Sequence, residues 1–235
     1  MKQRMIIIGG MGPQASLEPH RRMIRQALAN GAKDGADFPH IVHLSLPVPD
    51  FIANESRRSE ALEIIINELK NISASMDDVI IIACNTAHLL QPDIEQQLSV
   101  RITSMVDAAI DYISRHHKTI RLLASPTTIR TGLYDKPLKT VGVTVLTPDD
   151  NERQALETII RAVIAGRIVP QSVLEKVERI AKFDRVEIDN YVENHLNNPP
   201  ILLGCTELSC AFAKKPNTID PMNILINHLA ARGVL

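Results

Sequence analysis

The chain has 235 residues, 45% of them hydrophobic, and a formal net charge of −1 at neutral pH. This length can bury a core as one large domain or two small ones. The near-neutral charge and the 3% aromatic content argue against nucleic-acid binding. The apolar runs are too short for a membrane helix or a signal peptide. Three cysteines, an odd number, argue against a disulfide framework and favour the reducing cytoplasm.

Short apolar runs, typical of buried strands, alternate with longer amphipathic stretches that predict helices. In the first half of the chain we predict strands at 5–10, 40–46 and 79–83, with helices at 12–30 and 59–71 and a further helix starting at Asn85-Thr86. In the second half we predict strands at 120–124, 141–146 and 201–203, with helices at 149–165, 171–182 and from Pro221 to about 232. This alternation predicts an α/β fold with parallel sheets covered on both faces.

A weak internal repeat divides the chain into two halves. Residues 5–13 resemble 120–128, because in both an apolar strand enters a loop of small residues; residues 81–86 resemble 202–206. Gly10 and Cys84 lie 74 residues apart, and Ser125 and Cys205 lie 80 apart. Such strand ends also recur in any α/β protein, but a cysteine with a nearby threonine at both favours a duplication. We expect a first lobe of residues 1–104 and 211–235 and a second of 105–210.

Each half places a cysteine at the carboxyl end of a buried strand, where open α/β sheets bind ligands. Cys84 and Cys205 also precede predicted helix starts, a position that lowers a thiol pKa. If the halves face each other, a thiolate on one side and a thiol on the other can remove a proton from carbon and return one to the opposite face. The alternative is that such a cysteine is a small core residue, which we expect for Cys210.

The neighbours of these cysteines suit an amino-acid-like substrate. Asn85, Thr86 and Thr206 offer side-chain donors beside helix-start N–H groups that can hold a carboxylate. Glu207 could accept a proton from the Cys205 thiol or tune it. His88 lies one turn from Cys84 and could instead merely cap or pack.

Other site classes are not supported by the sequence. The glycines at 9–12 do not form a dinucleotide motif, because Ala15 occupies the position of the third glycine. No zinc-ligand spacing and no G-x-S-x-G elbow occurs.

Three segments, Gly9-Gly10-Met11-Gly12-Pro13, Ala83-Cys84-Asn85-Thr86-Ala87-His88 and Gly204-Cys205-Thr206-Glu207-Leu208, resemble the aspartate/glutamate racemase superfamily, most closely its aspartate racemase branch. The resemblance implies two pseudo-symmetric α/β lobes with parallel-rich sheets and the active site in the cleft between them. It implies racemisation by Cys84 and Cys205, facing the D- and L-enantiomers respectively, with no pyridoxal phosphate or other cofactor and no metal. It also implies a homodimer. The expected substrate-binding residues are Met11, Gly12, Pro13, Phe51, Asn85, Thr86, Thr127, Thr206 and Glu207.

The sequence departs from this family at two charged positions. Aspartate racemases usually carry Pro-Asp-Arg where this chain has Pro49-Asp50-Phe51, and a lysine where it has Ile164. The arginine binds the side-chain carboxylate of the substrate, so its absence predicts altered side-chain specificity. Arg57, Arg58 or Arg130 could supply the missing charge.

Three alternatives remain open at this point. The chain could be another isomerase or a decarboxylase of the same superfamily acting on a small carboxylic acid, a non-catalytic ligand-binding relative, or a protein that uses its cysteines in redox chemistry. The presence of both cysteine motifs favours racemisation, and the lack of C-x-x-C disfavours redox use.

Overall fold

The computed structural model describes residues 3–49, 55–181 and 198–235. The chain forms two compact units, Met1–Ala108 together with Met222–Leu235, and Ala109–Pro221. Each unit is built on a sheet whose strands pair in parallel. The predicted α/β fold with parallel sheets is therefore confirmed.

The sheet of the first unit contains β1 (Met5–Gly9), β2 (Ile41–Ser45) and β3 (Val79–Ile82) in the order β2-β1-β3. All of β1 is buried, and successive side chains point to opposite faces. Ile6 and Ile8 join one apolar cluster, whereas Met5 and Ile7 join another. The helices that follow in sequence are α1 (Leu17–Ala29), α2 (Arg58–Asn71), α3 (Gln91–Leu98) and α4 (Met105–His116), with 3₁₀ turns at Gly35–Asp37, Glu55–Arg57 and Thr86–Leu90.

The sheet of the second unit contains β4 (Thr119–Ala124), β5 (Thr144–Leu146), β6 (Ile201–Gly204) and β7 (Thr218–Ile219) in the order β5-β4-β6-β7. Its core packs Leu123, Ile201 and Leu203 against apolar helix residues such as Ile159 and Phe212. The described helices are α5 (Pro126–Thr131), α6 (Asp135–Thr140), α7 (Asp150–Ile164), α8 (Gln171–Ala181) and α9 (Thr206–Phe212). The chain then returns to the first unit with α10 (Pro221–Ala231).

The two sheets share one layout. In each, the first strand in sequence is paired on both sides, with the second strand on one side and the third on the other. Beside β3, a parallel bridge joins Ile80 to Ile102. In the second sheet, β7 takes the equivalent position beside β6. This is the arrangement that the internal repeat predicts.

Several predicted boundaries were wrong because of local backbone geometry. The helix expected from residue 12 begins only at Leu17, since Gly10 and Gly12 have φ of 94° and 83°, outside the helical region. The strand expected at 141–146 begins at Thr144, since Gly142 has φ of 79°.

The sequence prediction also omitted some elements. Helices α5 and α6 have six residues each, too few to show a helical period, and β7 has two. Helix α4 was predictable, because the fully buried Met105, Ala109 and Ile113 recur every four residues.

In the parts of the chain that the structure describes, none of the helices has the length and apolar character needed to cross a membrane.

We predict that Gly10→Ala destabilises the first unit far more than Gly31→Ala. The two glycines have nearly the same φ, 94° and 95°, in the range that favours glycine. A Cβ at Gly10 would overlap the main-chain carbonyl of Leu46, whereas one at Gly31 would meet nothing within 4 Å. Gly31→Ala should therefore cost about 1 kcal/mol of backbone strain, and Gly10→Ala roughly twice that or more. Urea denaturation measures the free energy of unfolding of both variants. Equal losses of stability would show that the Leu46 contact is unimportant.

Candidate active site

Cys84 lies at the carboxyl edge of the first sheet. Strand β3 ends at Ile82, which pairs with Ile8 of β1, so the chain at Cys84 leaves the sheet beside the glycine loop at 9–12. The cysteine is buried, with 3% of its surface exposed. A 3₁₀ turn, not an α-helix, follows it, and α3 starts only at Gln91. The predicted position of Cys84 at a helix start is thus only partly right, and a helix dipole contributes little there.

His88 fixes the main chain at Cys84 and does not donate to its thiol. The Nδ1 atom of His88 lies 2.9 Å from the carbonyl oxygen of Cys84 and 3.2 Å from that of Asn85. Because both partners only accept, Nδ1 carries the proton. The other nitrogen, Nε2, is buried and has no hydrogen-bond partner among the described residues. Burial lowers the pKa of His88, so the ring is neutral.

The other predicted residues of this edge are mostly buried. Asn85 and Thr86 are each 2% exposed, and Met11 is 8% exposed. Gly12 is buried, whereas Pro13 is exposed. Phe51 lies outside the described residues.

Cys205 lies at the equivalent edge of the second sheet. Ala124 at the end of β4 pairs with Gly204 at the end of β6, so Ser125 and Cys205 leave the sheet side by side. Gly204 leaves no space for a side chain, because a Cβ there would lie 2.8 Å from Leu122 Cδ1 and 3.0 Å from Ala124 Cβ. Cys205 is the N-cap of α9, as predicted, and is 7% exposed.

The thiol of Cys205 is coupled to a buried carboxyl group. Its Sγ donates to Oε2 of Glu207 at 2.9 Å, and the Thr206 hydroxyl donates to the same oxygen at 3.2 Å. Glu207 is 3% exposed, and its Oε1 has no partner among the described residues. Burial raises the pKa of Glu207, with the hydrogen bond from Cys205 acting in the opposite sense. The carboxylate is consequently a stronger base than an exposed glutamate.

Hydroxyl groups line the end of β4 next to Cys205. Ser125 is the N-cap of α5, and its Oγ accepts from the Thr128 N–H and donates to the Thr128 hydroxyl. Thr127 is 2% exposed. Nη2 of Arg130 lies 3.4 Å from the Thr127 hydroxyl. A guanidinium group therefore accompanies the polar side chains at this edge.

The other singled-out residues have different surroundings. Cys210 is exposed, so its prediction as a core residue was wrong; in α9 the buried Leu208 and Phe212 occupy the core-facing side instead. Ile164 is partly buried against the core of the second unit. Arg57 forms an ion pair with Glu60 at 3.1 Å, and Arg58 one with Asp93 at 2.6 Å.

Cys84, Cys205 and Cys210 form no disulfide bonds. Within residues 3–49, 55–181 and 198–235, no three histidine, cysteine, aspartate or glutamate side chains come together as metal ligands.

A family model described as Asp/Glu/hydantoin racemase matches residues 8–229, nearly the whole chain. The chain belongs to this racemase family. It is thus an enzyme, an isomerase of the racemase type, and the resemblance seen in its motifs is confirmed.

Individual relatives agree with this assignment. The racemase is 30% identical over 158 residues to a broad-specificity amino-acid racemase of Bacillus subtilis, covering 67% of this chain and 69% of the relative. Its fold matches an aspartate racemase homologue from Pyrococcus horikoshii with a TM-score of 0.72 at 24% identity over 100% of both chains. It also matches the Picrophilus torridus aspartate racemase with a TM-score of 0.72 at 22% identity, covering 98% of this chain and 94% of that one.

We predict that Glu207→Gln makes the folding stability of the racemase less sensitive to rising pH. The folded state raises the pKa of Glu207 above its ordinary value near 4.5. Between that value and the raised one, the folded chain binds more protons than the unfolded chain, so stability falls as pH rises. The glutamine variant lacks this loss, and its free energy of unfolding relative to wild type should increase from pH 4.5 to 8.

Urea denaturation at several pH values provides the measurement, and Glu175→Gln is the matched control. Glu175 is an exposed glutamate of the second unit. Its replacement should leave the pH dependence of wild type unchanged. A Glu207→Gln variant whose stability runs parallel to wild type would contradict the prediction.

Proposed function

We propose that this enzyme racemises an amino acid at Cα, with Cys84 and Cys205 as its two proton-transfer groups and without a cofactor. The supporting observation is their equivalent placement. Each follows the strand that pairs with the central strand of its own sheet, and each leaves the sheet at the carboxyl edge. Inversion of a stereocentre needs a base on one face and an acid on the other, and two thiol groups can exchange these roles.

The proposed reaction balances without any further reactant. A thiolate removes the Cα proton, and the electron pair left on carbon delocalises into the α-carboxylate. The opposite thiol then donates its proton to the other face of Cα and becomes a thiolate. The enzyme finishes with the protonation states of its two cysteines exchanged, ready for the reverse direction.

Glu207 is proposed to accept the proton of Cys205 when that thiol must act as the base. The 2.9 Å hydrogen bond already points from Sγ to the carboxylate. Burial raises the pKa of Glu207, which brings the carboxylate closer to a thiol in basicity. Asn85, Thr86, Thr127 and Thr206, together with Met11, Gly12 and Pro13, are proposed to contact the substrate. Phe51 is included with them because the sequence resemblance places it in the loop after the second strand.

The proposed substrate has a neutral or apolar side chain. Phe51 and Ile164 stand where aspartate racemases carry charged residues, and Ile164 packs against an apolar core. A relative of known specificity, the Bacillus subtilis racemase, has broad specificity. A substrate carboxylate buried without a cationic partner would be expensive to bind.

We further propose a homodimer in the cytoplasm. The dimer is proposed from the family resemblance. The cytoplasmic location is proposed because the mechanism requires reduced thiols, which persist in a reducing compartment. Light scattering at micromolar concentration distinguishes a dimer from a monomer.

We predict that Cys84→Ser and Cys205→Ser each abolish racemisation in both directions. A serine hydroxyl has nearly the volume of a thiol but is too weakly acidic to ionise, so one of the two proton transfers is lost. General acid–base groups contribute about 10²–10⁴-fold each, and the rate should fall by at least that range. The measurement is circular dichroism of each pure enantiomer with time.

The matched control is Cys210→Ser, which changes an exposed cysteine in α9, the helix that follows Cys205. Its racemisation rate should remain near that of wild type. Deuterium incorporation at Cα in heavy water separates a racemase from a binding protein, which would not catalyse it. A Cys84→Ser enzyme that racemises at the wild-type rate would rule out the two-thiol mechanism.

We predict that free aspartate is a poor substrate. Hydrogen bonds to charged groups are worth about 1.5–3 kcal/mol each, so lacking two cationic partners could lower catalytic efficiency by about 10²–10⁴-fold. The measurement compares kcat/KM for aspartate, glutamate, alanine, leucine and methionine. Preferred turnover of aspartate would refute the prediction and would direct mutagenesis to Arg57 and Arg58.

A further inference from the structure

We propose that Arg130 binds the α-carboxylate of the substrate beside Cys205. The proposal rests on the racemase function proposed above and adds a specific residue to it. Arg130 belongs to none of the segments that carry the family resemblance. Its candidacy comes from its position in the second unit and from its contact with Thr127.

The parallel pairing of β4 with β6 places α5 next to Cys205. Ala124 and Gly204 are partners in adjacent strands, which lie about 4.8 Å apart. The chain continues from Ala124 through Ser125 into α5, and from Gly204 directly into Cys205. The first turn of α5 and the reactive thiol therefore share one stretch of the carboxyl edge.

The Arg130 side chain is directed back toward this edge. Residues three positions apart in a helix are neighbours on one face, as Thr127 and Arg130 are. Nη2 of Arg130 lies 3.4 Å from the hydroxyl of Thr127. Thr127 is buried, whereas Arg130 is exposed. A carboxylate placed there could accept from the guanidinium group and from the hydroxyl together.

The two other arginines suggested by the sequence are less suited to this role. Arg57 is held by Glu60, and Arg58 by Asp93 and by the carbonyl oxygen of Leu89. Both belong to the first unit, whereas Arg130 belongs to the second unit with Cys205. Arg130 also contacts a hydroxyl group that can itself bind the same substrate oxygen.

The chemistry gives this position a role in the reaction itself. When the Cα proton leaves, negative charge moves into the α-carboxylate, and a fixed cation stabilises the growing charge. Arginine offers planar, bidentate donors to a carboxylate, which lysine does not reproduce. Since every amino acid has an α-carboxylate, the effect should be the same for all side chains.

The first test compares the kinetics of Arg130→Gln and Arg130→Lys with wild type. We expect kcat/KM to fall about 10–100-fold for every amino acid that wild type racemises, and Lys to restore part of the loss. The matched control is Arg115→Gln, an exposed arginine paired with Asp111 near the end of α4, at the opposite edge of the sheet. A loss confined to aspartate and glutamate would overturn the α-carboxylate assignment in favour of the side chain.

The second test does not require racemase activity. In the Cys210→Ser background, mass spectrometry follows alkylation of Cys205 by iodoacetate, which carries a carboxylate, and by neutral iodoacetamide. A nearby cation favours the anionic reagent, so the iodoacetate-to-iodoacetamide rate ratio should fall about 3–10-fold in Arg130→Gln and stay constant in Arg115→Gln.

The two tests separate the two proposals. A wild-type chain without racemase activity whose alkylation ratio still depends on Arg130 would refute the proposed function and leave a carboxylate site at Arg130. An Arg130→Gln variant with unchanged kinetics and an unchanged ratio would overturn the assignment of Arg130 and leave the two-thiol racemase standing.

Discussion

Parallel pairing of the central strands is the constraint on which the rest of this structure depends. The central strand of each sheet, β1 or β4, has a neighbour on both sides, and β1 is fully buried along its length. Buried strands leave no place for polar side chains, so the thiols and polar groups of the candidate site lie where the strands end. Parallel strands all end at one edge, which brings together groups 80 residues apart in sequence, such as Ser125 and Cys205.

The two edges share a layout but surround their cysteines differently. Cys84 precedes a 3₁₀ turn, and a neutral histidine, His88, holds its carbonyl oxygen. Cys205 occupies the N-cap position of α9, and its thiol donates to Glu207. His88 thus contacts the main chain of Cys84, whereas the buried carboxylate of Glu207 contacts the thiol of Cys205 itself. The two halves therefore share the position of the cysteine but not the group beside it.

Much of this could be predicted from the sequence, because the signals are local. Apolar runs locate six of the seven strands in the described part of the chain, and the cysteine motifs locate the sheet edges. The exposure of Cys210 could not be read in this way, since it depends on which side of a seven-residue helix meets the core. Likewise, nothing local in the sequence shows that Arg58 pairs with the distant Asp93. Side-chain partners far apart in sequence are set by packing, and a single sequence does not encode them as a pattern.

The unequal surroundings of the two thiols are compatible with a reaction that has no preferred direction. Enantiomers have equal free energies in water, so the equilibrium constant is one and kcat/KM must be the same for both directions. In the proposed mechanism, Glu207 can therefore accelerate proton removal by Cys205 only if it accelerates the return of that proton equally, because both directions share one transition state. A raised pKa of Glu207 suits this requirement, because it brings the basicity of the carboxylate closer to that of a thiolate. Any asymmetry between the two thiols must then appear as proportional differences in kcat and KM, so that the enantiomer with the higher kcat also has the higher KM by the same factor.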